Sequence, residues 1–199
     1  MTTYIFAQIC GNMKKLLANL FFIACVSLTS FSQGKFPPLD KSPMDASYYP
    51  VNYPILRIQE KASEPLMARV IYSRPQRNGR NVFGELVEYG KVWRLGANEA
   101  TEIEFYRDVK VNGTKLKKGR YTLYCIPATD KWTIIINKDT DIWGAFKYDM
   151  KKDAMRTTIP VQKQADSLEA LSIVFEKTST GADLVMAWDN VSGRLPIVF

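Results

Sequence analysis

From Ile55 onward, apolar residues recur mainly at every second position, in short runs closed by turn residues. That two-residue period marks strands that bury one face and wet the other. Ala68–Ser73 (ARVIYS) is a short run of this kind. Ile103 and Phe105 alternate with Glu102 and Glu104, which predicts a strand over 101–107 with one face in water. Asn112-Gly113 predicts a two-residue hairpin turn, because both central positions of that turn need positive φ. Tyr121–Ile126 and Trp132–Asn137 flank Pro127-Ala128-Thr129-Asp130 and are expected to pair. Trp132, Ile134 and Ile136 share a face while Ile135 takes the other, so this strand is predicted to be central and buried on both sides. Leu171, Ile173 and Phe175 follow the same rule, and a Ser179-Thr180-Gly181 turn leads into Leu184, Met186 and Trp188. Pro196 places the closing run Arg194–Phe199 at a sheet edge, since proline cannot donate to a ladder. No window carries an amphipathic helix longer than about three turns.

About eight to ten short strands with turn signals between them predict an all-β fold. The expected architecture is a single antiparallel β-sandwich domain with long loops and little helix; a jelly-roll-like or closed-barrel variant is the alternative. At 199 residues the chain suits one domain with a real core. Its expected organisation has three parts. Residues 1–32 read as a signal peptide: Met13-Lys14-Lys15 is a basic start, Leu16–Leu28 an apolar run too short for a comfortable span, and Ser30-Phe31-Ser32 a small-residue cleavage site before Gln33. Residues 1–12 then look like an extension from a misassigned start. A rival reading takes Phe22-Ile23-Ala24-Cys25 as a lipoprotein signal that acylates Cys25. Residues 33–54 are expected to form an extended arm, because Pro37, Pro38, Pro43, Pro50 and Pro54 oppose a helix while Tyr48, Tyr49 and Tyr53 give it something to dock with. The first part of that arm reads equally as a plain linker. Residues 55–199 are the β domain.

Export changes the charge and cysteine counts. Removing Lys14 and Lys15 takes the chain from +7 to +5, with 25 basic against 20 acidic side chains. That excess is modest and spread out, so no nucleic-acid partner is expected, and the mature chain carries no expected transmembrane span. Cys125 is left alone and sits in an apparent strand beside Leu123, which suits a buried structural thiol. The chain contains no histidine. That removes the common catalytic triads, the usual near-neutral base and the commonest zinc ligand. No catalytic residue, no metal site and no cofactor is expected.

The candidate chemistry concentrates in 72–101, a stretch rich in arginine, glycine and aromatics with no sustained period. Arg94 offers a planar fork for a carboxylate, sulfate or phosphate group, and Arg74 and Arg80 approach from the preceding loop. Asn98 and Glu99 add polar groups, and Trp93 a stacking face. The competing reading is a fastener in which Arg94 or Arg74 pairs with Glu99 and pins the loop. Glu85, Glu88 and Glu99 raise a carboxylate-dependent hydrolase as a further alternative, which requires Glu99 in a cleft with a second carboxylate. Trp143-Gly144-Ala145-Phe146-Lys147-Tyr148 reads either as a sugar-binding platform or as a loop plugging the core. Asp139-Thr140-Asp141 and Asp149–Asp153 lack the ligand run of a calcium loop, and Gly79 and Gly84 are too sparse to cradle a phosphate.

Tyr72-Ser73-Arg74-Pro75, Gly79-Arg80, Phe83-Gly84, Tyr89–Arg94 and Gly96–Thr101 resemble the opening block of domain of unknown function 2911, a family of exported bacterial proteins. The likeness continues through Gly119–Leu123, Ile126-Pro127, Trp132-Thr133, Asn137, Trp143-Gly144, Tyr148, Asp153, Arg156 and Ala187-Trp188. It implies a single exported domain and brings no activity. By matching position it adds Arg156 to the candidates Arg74, Trp93, Arg94, Asn98, Glu99, Trp143 and Tyr148. The expected partner is a small polar or anionic ligand, such as a glycan or sugar acid, held in the cell envelope by a periplasmic or secreted protein. An accessory protein acting through an envelope protein partner is the alternative.

Overall fold

The computed structural model describes residues 36–199; the expected leader, with Cys25 and the cleavage point before Gln33, lies outside the described residues. Nine strands follow in chain order: β1 (Met44–Tyr49), β2 (Ala68–Ser73), β3 (Glu102–Phe105), β4 (Val109–Val111), β5 (Thr114–Leu116), β6 (Gly119–Pro127), β7 (Lys131–Asn137), β8 (Asp153–Lys177) and β9 (Gly181–Val198). One short helix, α1 (Tyr53–Ile58), and a 3₁₀ turn at Met150–Lys152 complete the regular structure. Every strand pairing is antiparallel, in the order β1-β2-β3-β6-β7-β8-β9-β4-β5. The sheet is not closed into a barrel, because β1 and β5 remain as its two ends. The succession β6-β7-β8-β9 is a meander of chain neighbours, not a jelly roll.

The sandwich-like layering comes from β8 and β9. The first part of β8 pairs with β7 through Pro160, and the rest pairs with β9 from Val161 to Lys177. Register slips between Lys163 and Leu168 and between Leu168 and Ser172 bend this hairpin, and Asp189 in β9 is left-handed at φ 53. Straight, eighteen residues of strand would run roughly 60 Å. Instead β9 doubles back: a Cβ at Gly181 would collide with the carbonyl oxygen of Ile197, so the strand's beginning lies against its end. The close approach is open only to glycine. Val70, Ile103, Leu123, Ile134 and Ile136 from β2, β3, β6 and β7 thereby share one buried core with Leu171, Ile173, Phe175, Leu184 and Met186 from β8 and β9.

Most sequence expectations hold here. β2 has the predicted bounds, β3 alternates buried and half-buried residues, and Asn112 (φ 43) with Gly113 (φ 83) makes the β4–β5 turn. β7 is buried on both faces: Ile135 joins Tyr124 and Ala100 in a second, smaller cluster beneath Ile142, Ala145 and Tyr148. Cys125 is a buried free thiol whose ionisation is pushed up by burial.

Three expectations change. Within the arm, Met44–Tyr49 is a full strand, β1, paired residue for residue with β2. Tyr53–Ile58 is helical, because Pro54 falls in the first turn, where its missing N–H has no intrahelical partner to lose. The closing run is not a sheet edge: Val111 and Lys110 of β4 pair with Ile197 and Val198, and β5 takes the edge. Pro196 is accommodated where that ladder ends, its carbonyl accepting from Asn112 N–H.

Candidate functional site

The long loop between β2 and β3 is stapled to the sheet at several points. Gln76 bridges Ala170, Gly90 N–H donates to Pro127, and Trp93 exchanges two backbone hydrogen bonds with Cys125 at 2.7 and 2.9 Å. Trp93 thus extends the ladder of β6. Its ring is buried, its Nε1 donates to the Gly96 carbonyl, and it stacks on Trp188 with ring centres 6.0 Å apart. It is a wall of the core, unlike the free stacking face the sequence suggested. After Trp93 the chain turns sharply. Leu95 is left-handed (φ 53) and fully buried, and Thr101 Oγ1 donates to its carbonyl. A buried leucine in that conformation stores on the order of 1 kcal/mol of strain, held by the packing around it.

This turn places Arg94 in a cavity of about 230 Å³ lined by Ser42, Pro75, Arg80, Leu86, Val87, Trp93, Gly96, Ala97 and Trp188. No carboxylate lines it. Arg94 is half-buried, and its Nε is buried without a hydrogen-bond partner. Burial alone pushes its ionisation below the ordinary arginine value, with no neighbouring charge to oppose that. Among the described residues, the backbone N–H groups of Gly96 and Ala97 donate to no backbone acceptor. A left-handed residue followed by free N–H groups is a concavity suited to anions. Arg80 is the second cation on the wall, its Nε and one terminal nitrogen held by the carbonyls of Arg77 and Gln76.

The other candidates lie elsewhere. Arg74 joins β1 to β8: Nε donates to the Leu171 carbonyl (3.1 Å), one terminal nitrogen to Ser172 Oγ (2.9 Å) and the other to Asp45 (3.1 Å). It is a fastener, but to Asp45 and not to Glu99. Asn98 is left-handed (φ 56), and its carbonyl accepts from Gly144 N–H. Glu99 is exposed and forms a lone bridge with Trp143. Tyr148, Asp153 and Arg156 close on one another: Tyr148 donates to Asp153 at 2.8 Å, Arg156 Nε to the same oxygen at 2.6 Å, and Arg156 also donates to the Tyr148 oxygen. The Arg156 ionisation is raised chiefly by its bond to Asp153, and that of Tyr148 chiefly by burial. The eight sequence candidates are therefore dispersed: Trp93 and Arg94 line one hollow, Glu99 lines another, and Tyr148 and Arg156 close on Asp153.

The plug reading of 143–148 is corrected in part. Trp143 is 61% and Phe146 84% exposed, while the smaller Ala145, with Ile142 and Tyr148, covers the second core. Glu99 opens onto a hollow of about 150 Å³ that also touches Glu102 and Asp141. Both of those carboxylates are engaged by Arg120, so the exposed Glu99 lacks the sequestered setting a hydrolase needs. No group of three or more His, Cys, Asp or Glu among the described residues is placed to hold a metal ion.

A larger hollow, about 500 Å³, lies away from the motif between the β4–β5 hairpin and the end of β9. Its cations Arg107, Lys110, Lys115 and Lys117 are all exposed, and lysines on an edge hairpin serve to block edge-to-edge pairing. The Arg94 cavity carries the better case because its cation is half-buried, with no ion pair among the described residues. Ser42, Leu86 and Val87 of its wall were not singled out from sequence. They are joined to it only by the pairing of β1 with β2 and by the loop's fold, and no local pattern marks them.

An antiparallel, sandwich-like domain with a basic, tryptophan-walled cavity in its longest loop is the class defined by this geometry. The chain belongs to the family described as Protein of unknown function (DUF2911), whose model matches residues 57–197. No curated protein and no solved structure matches it.

Proposed function

We propose that the protein is an exported, envelope-associated binding module that takes a small polar anion, such as a sugar acid, in the Arg94 cavity. The observation that carries this reading is a half-buried arginine with a buried, unpartnered Nε in a cavity without carboxylates. An unpaired buried donor destabilises the unliganded fold by about 1–3 kcal/mol, and an oxyanion removes that cost. Arg94 supplies the charge-assisted bond, Arg80 adds field, Gly96 and Ala97 offer backbone donors, and Trp93 and Trp188 bound the apolar side.

Thermal-shift and calorimetric titrations of the protein with glucuronate, galacturonate, sulfate and phosphate test it, with Arg94→Met alongside. A dose-dependent rise in melting temperature that Arg94→Met abolishes supports the reading, since a ligand stabilises the state it binds. Equal shifts in both proteins, or none with any anion, would sink it.

A further inference from the structure

Two arginines line the Arg94 cavity, and no residue of its wall carries a negative charge. Arg94 is the half-buried member and Arg80 the exposed one, and neither has an ion pair among the described residues. Arg80 is also held in place. Its Nε donates to the Arg77 carbonyl at 2.8 Å and its Nη2 to the Gln76 carbonyl at 2.7 Å. Those residues are themselves tied to the sheet, because Gln76 bridges Ala170 and Arg77 N–H donates to the Glu169 carbonyl at 2.8 Å. The two bonds leave Nη1 of Arg80 without a partner among the described residues. A guanidinium fixed in this way loses little side-chain freedom when it binds.

The rest of the wall is poor in acceptors. The carbonyls of Pro75, Val87, Trp93, Arg94 and Gly96 already accept from Leu171, Gly84, Cys125, Thr101 and Trp93. The indole N–H groups of Trp93 and Trp188 are engaged inside the fold, by the carbonyls of Gly96 and Glu169. Ser42 supplies the remaining neutral polar side chain. A hydroxyl-rich ligand needs acceptors around it as well as donors, whereas a deprotonated oxygen needs donors only. A monoanion seated on Arg94 leaves the charge of Arg80 uncompensated, and a second anionic group neutralises it. At about 230 Å³ the hollow is small for a ligand pocket, so one compact molecule comes within reach of both cations. We propose that the cavity selects dianions over monoanions of the same shape, with one anionic group on Arg94 and the second on Arg80, which sets the selectivity. A dicarboxylate and a phosphate monoester both carry that charge. This selectivity rests on anion binding at Arg94, and adds to it the charge of the ligand and the residue that reads it.

Two pairs of ligands isolate the second charge. Gluconate and glucarate differ only in a terminal hydroxymethyl group against a carboxylate. Glucose 6-sulfate and glucose 6-phosphate differ at pH 8 by one charge on a tetrahedral group. Calorimetry at that pH and low salt gives the four affinities. The expected result is a dianion bound about threefold to fivefold more tightly than its monoanion in at least one pair, the size of an ion pair at an exposed site. The pair that shows it separates a dicarboxylate from a phosphate monoester. Arg80→Met brings the ratio to about one, and Arg80→Lys, which keeps the charge, keeps part of it. The wild-type ratio also shrinks in about 0.5 M salt, because the Arg80 charge is exposed; that readout needs no variant. Equal affinities within both pairs overturn the selectivity and leave the Arg94 site standing. A ratio that Arg80→Met leaves unchanged overturns the role of Arg80. Binding of none of the four anions removes the Arg94 site and the selectivity together.

Discussion

Arg74 and Arg94 stand in the same motif-rich stretch, yet the fold treats them oppositely. Arg74 directs all three of its bonding nitrogens at protein acceptors, tying β1 to β8. Arg94 is carried by a left-handed turn into a cavity where its Nε meets no partner at all. The first arginine is satisfied by the chain and contributes stability. The second keeps a buried donor without a partner among the described residues, which costs stability. Residue type and motif membership therefore do not separate the two arginines; what does is that Arg94 has neither an ion pair nor a side-chain hydrogen bond among the described residues, whereas Arg69, whose Nε is also unpartnered, still pairs with Glu104.

That contrast makes its strongest claim about stability. Arg74→Ala is expected to lower the unfolding free energy by about 2 kcal/mol, because the Leu171 carbonyl and Ser172 lose donors while the half-exposed pair with Asp45 contributes little. Urea denaturation measures it, and a loss below about 0.5 kcal/mol breaks the comparison from that side. Arg94→Met is expected to leave stability unchanged or raise it by up to about 1 kcal/mol, since an unpaired buried donor is replaced by a chain of similar length. A loss as large as that of Arg74→Ala would show that the cavity arginine is a fastener too. Asp45→Asn is a finer probe: it weakens one partly exposed ion pair, so the expected cost is about 0.5 kcal/mol and should shrink further in salt.

Titration separates the two regions more gently. The hydroxyl of Tyr72 approaches Asp45 beside Arg74, and burial, foremost, raises its ionisation above the ordinary value of 10.0. Burial likewise pushes Tyr124 up to about 12. The neutral phenols are favoured in the fold, so their contribution is fully present below pH 10 and is lost as the pH rises through the folded values. Melting temperatures followed from pH 9 to 12 should fall above 10. Anion affinity at Arg94 should stay level from pH 6 to 9, because the chain has no histidine and guanidinium keeps its charge there. A steep change in affinity within that range would place a different group at the site.

Much of the fold was legible because its signals are local. Asn112-Gly113 needs only its own backbone preference to make a turn, and the two-sided burial of β7 follows from apolar residues at consecutive positions within Trp132–Ile136. The sites were legible only as a neighbourhood. What satisfies Arg74 comes from Asp45, Leu171 and Ser172, and what leaves Arg94 bare is the absence of any such approach. Neither can be read from spacing within 72–101. The outward direction of Trp143 was undecided for the same reason, since composition left the 143–148 run readable either as a platform or as a plug. Its direction is set by a single bridge to Glu99, more than forty positions earlier. α1 was missed because a proline near a helix start reads, out of context, like a proline that ends one.

The doubling back of β9 also sets the order in which the chain can fold. Lys110 and Val111 find their partners only at Val198 and Ile197, and Tyr49 stacks on Phe199 with ring centres 4.7 Å apart. Contacts between positions so far apart in the chain close late, and such long-range closure is slow. Removal of the final strand residues should leave β4 and β5 unprotected in hydrogen exchange, even where β6 and β7 have already paired.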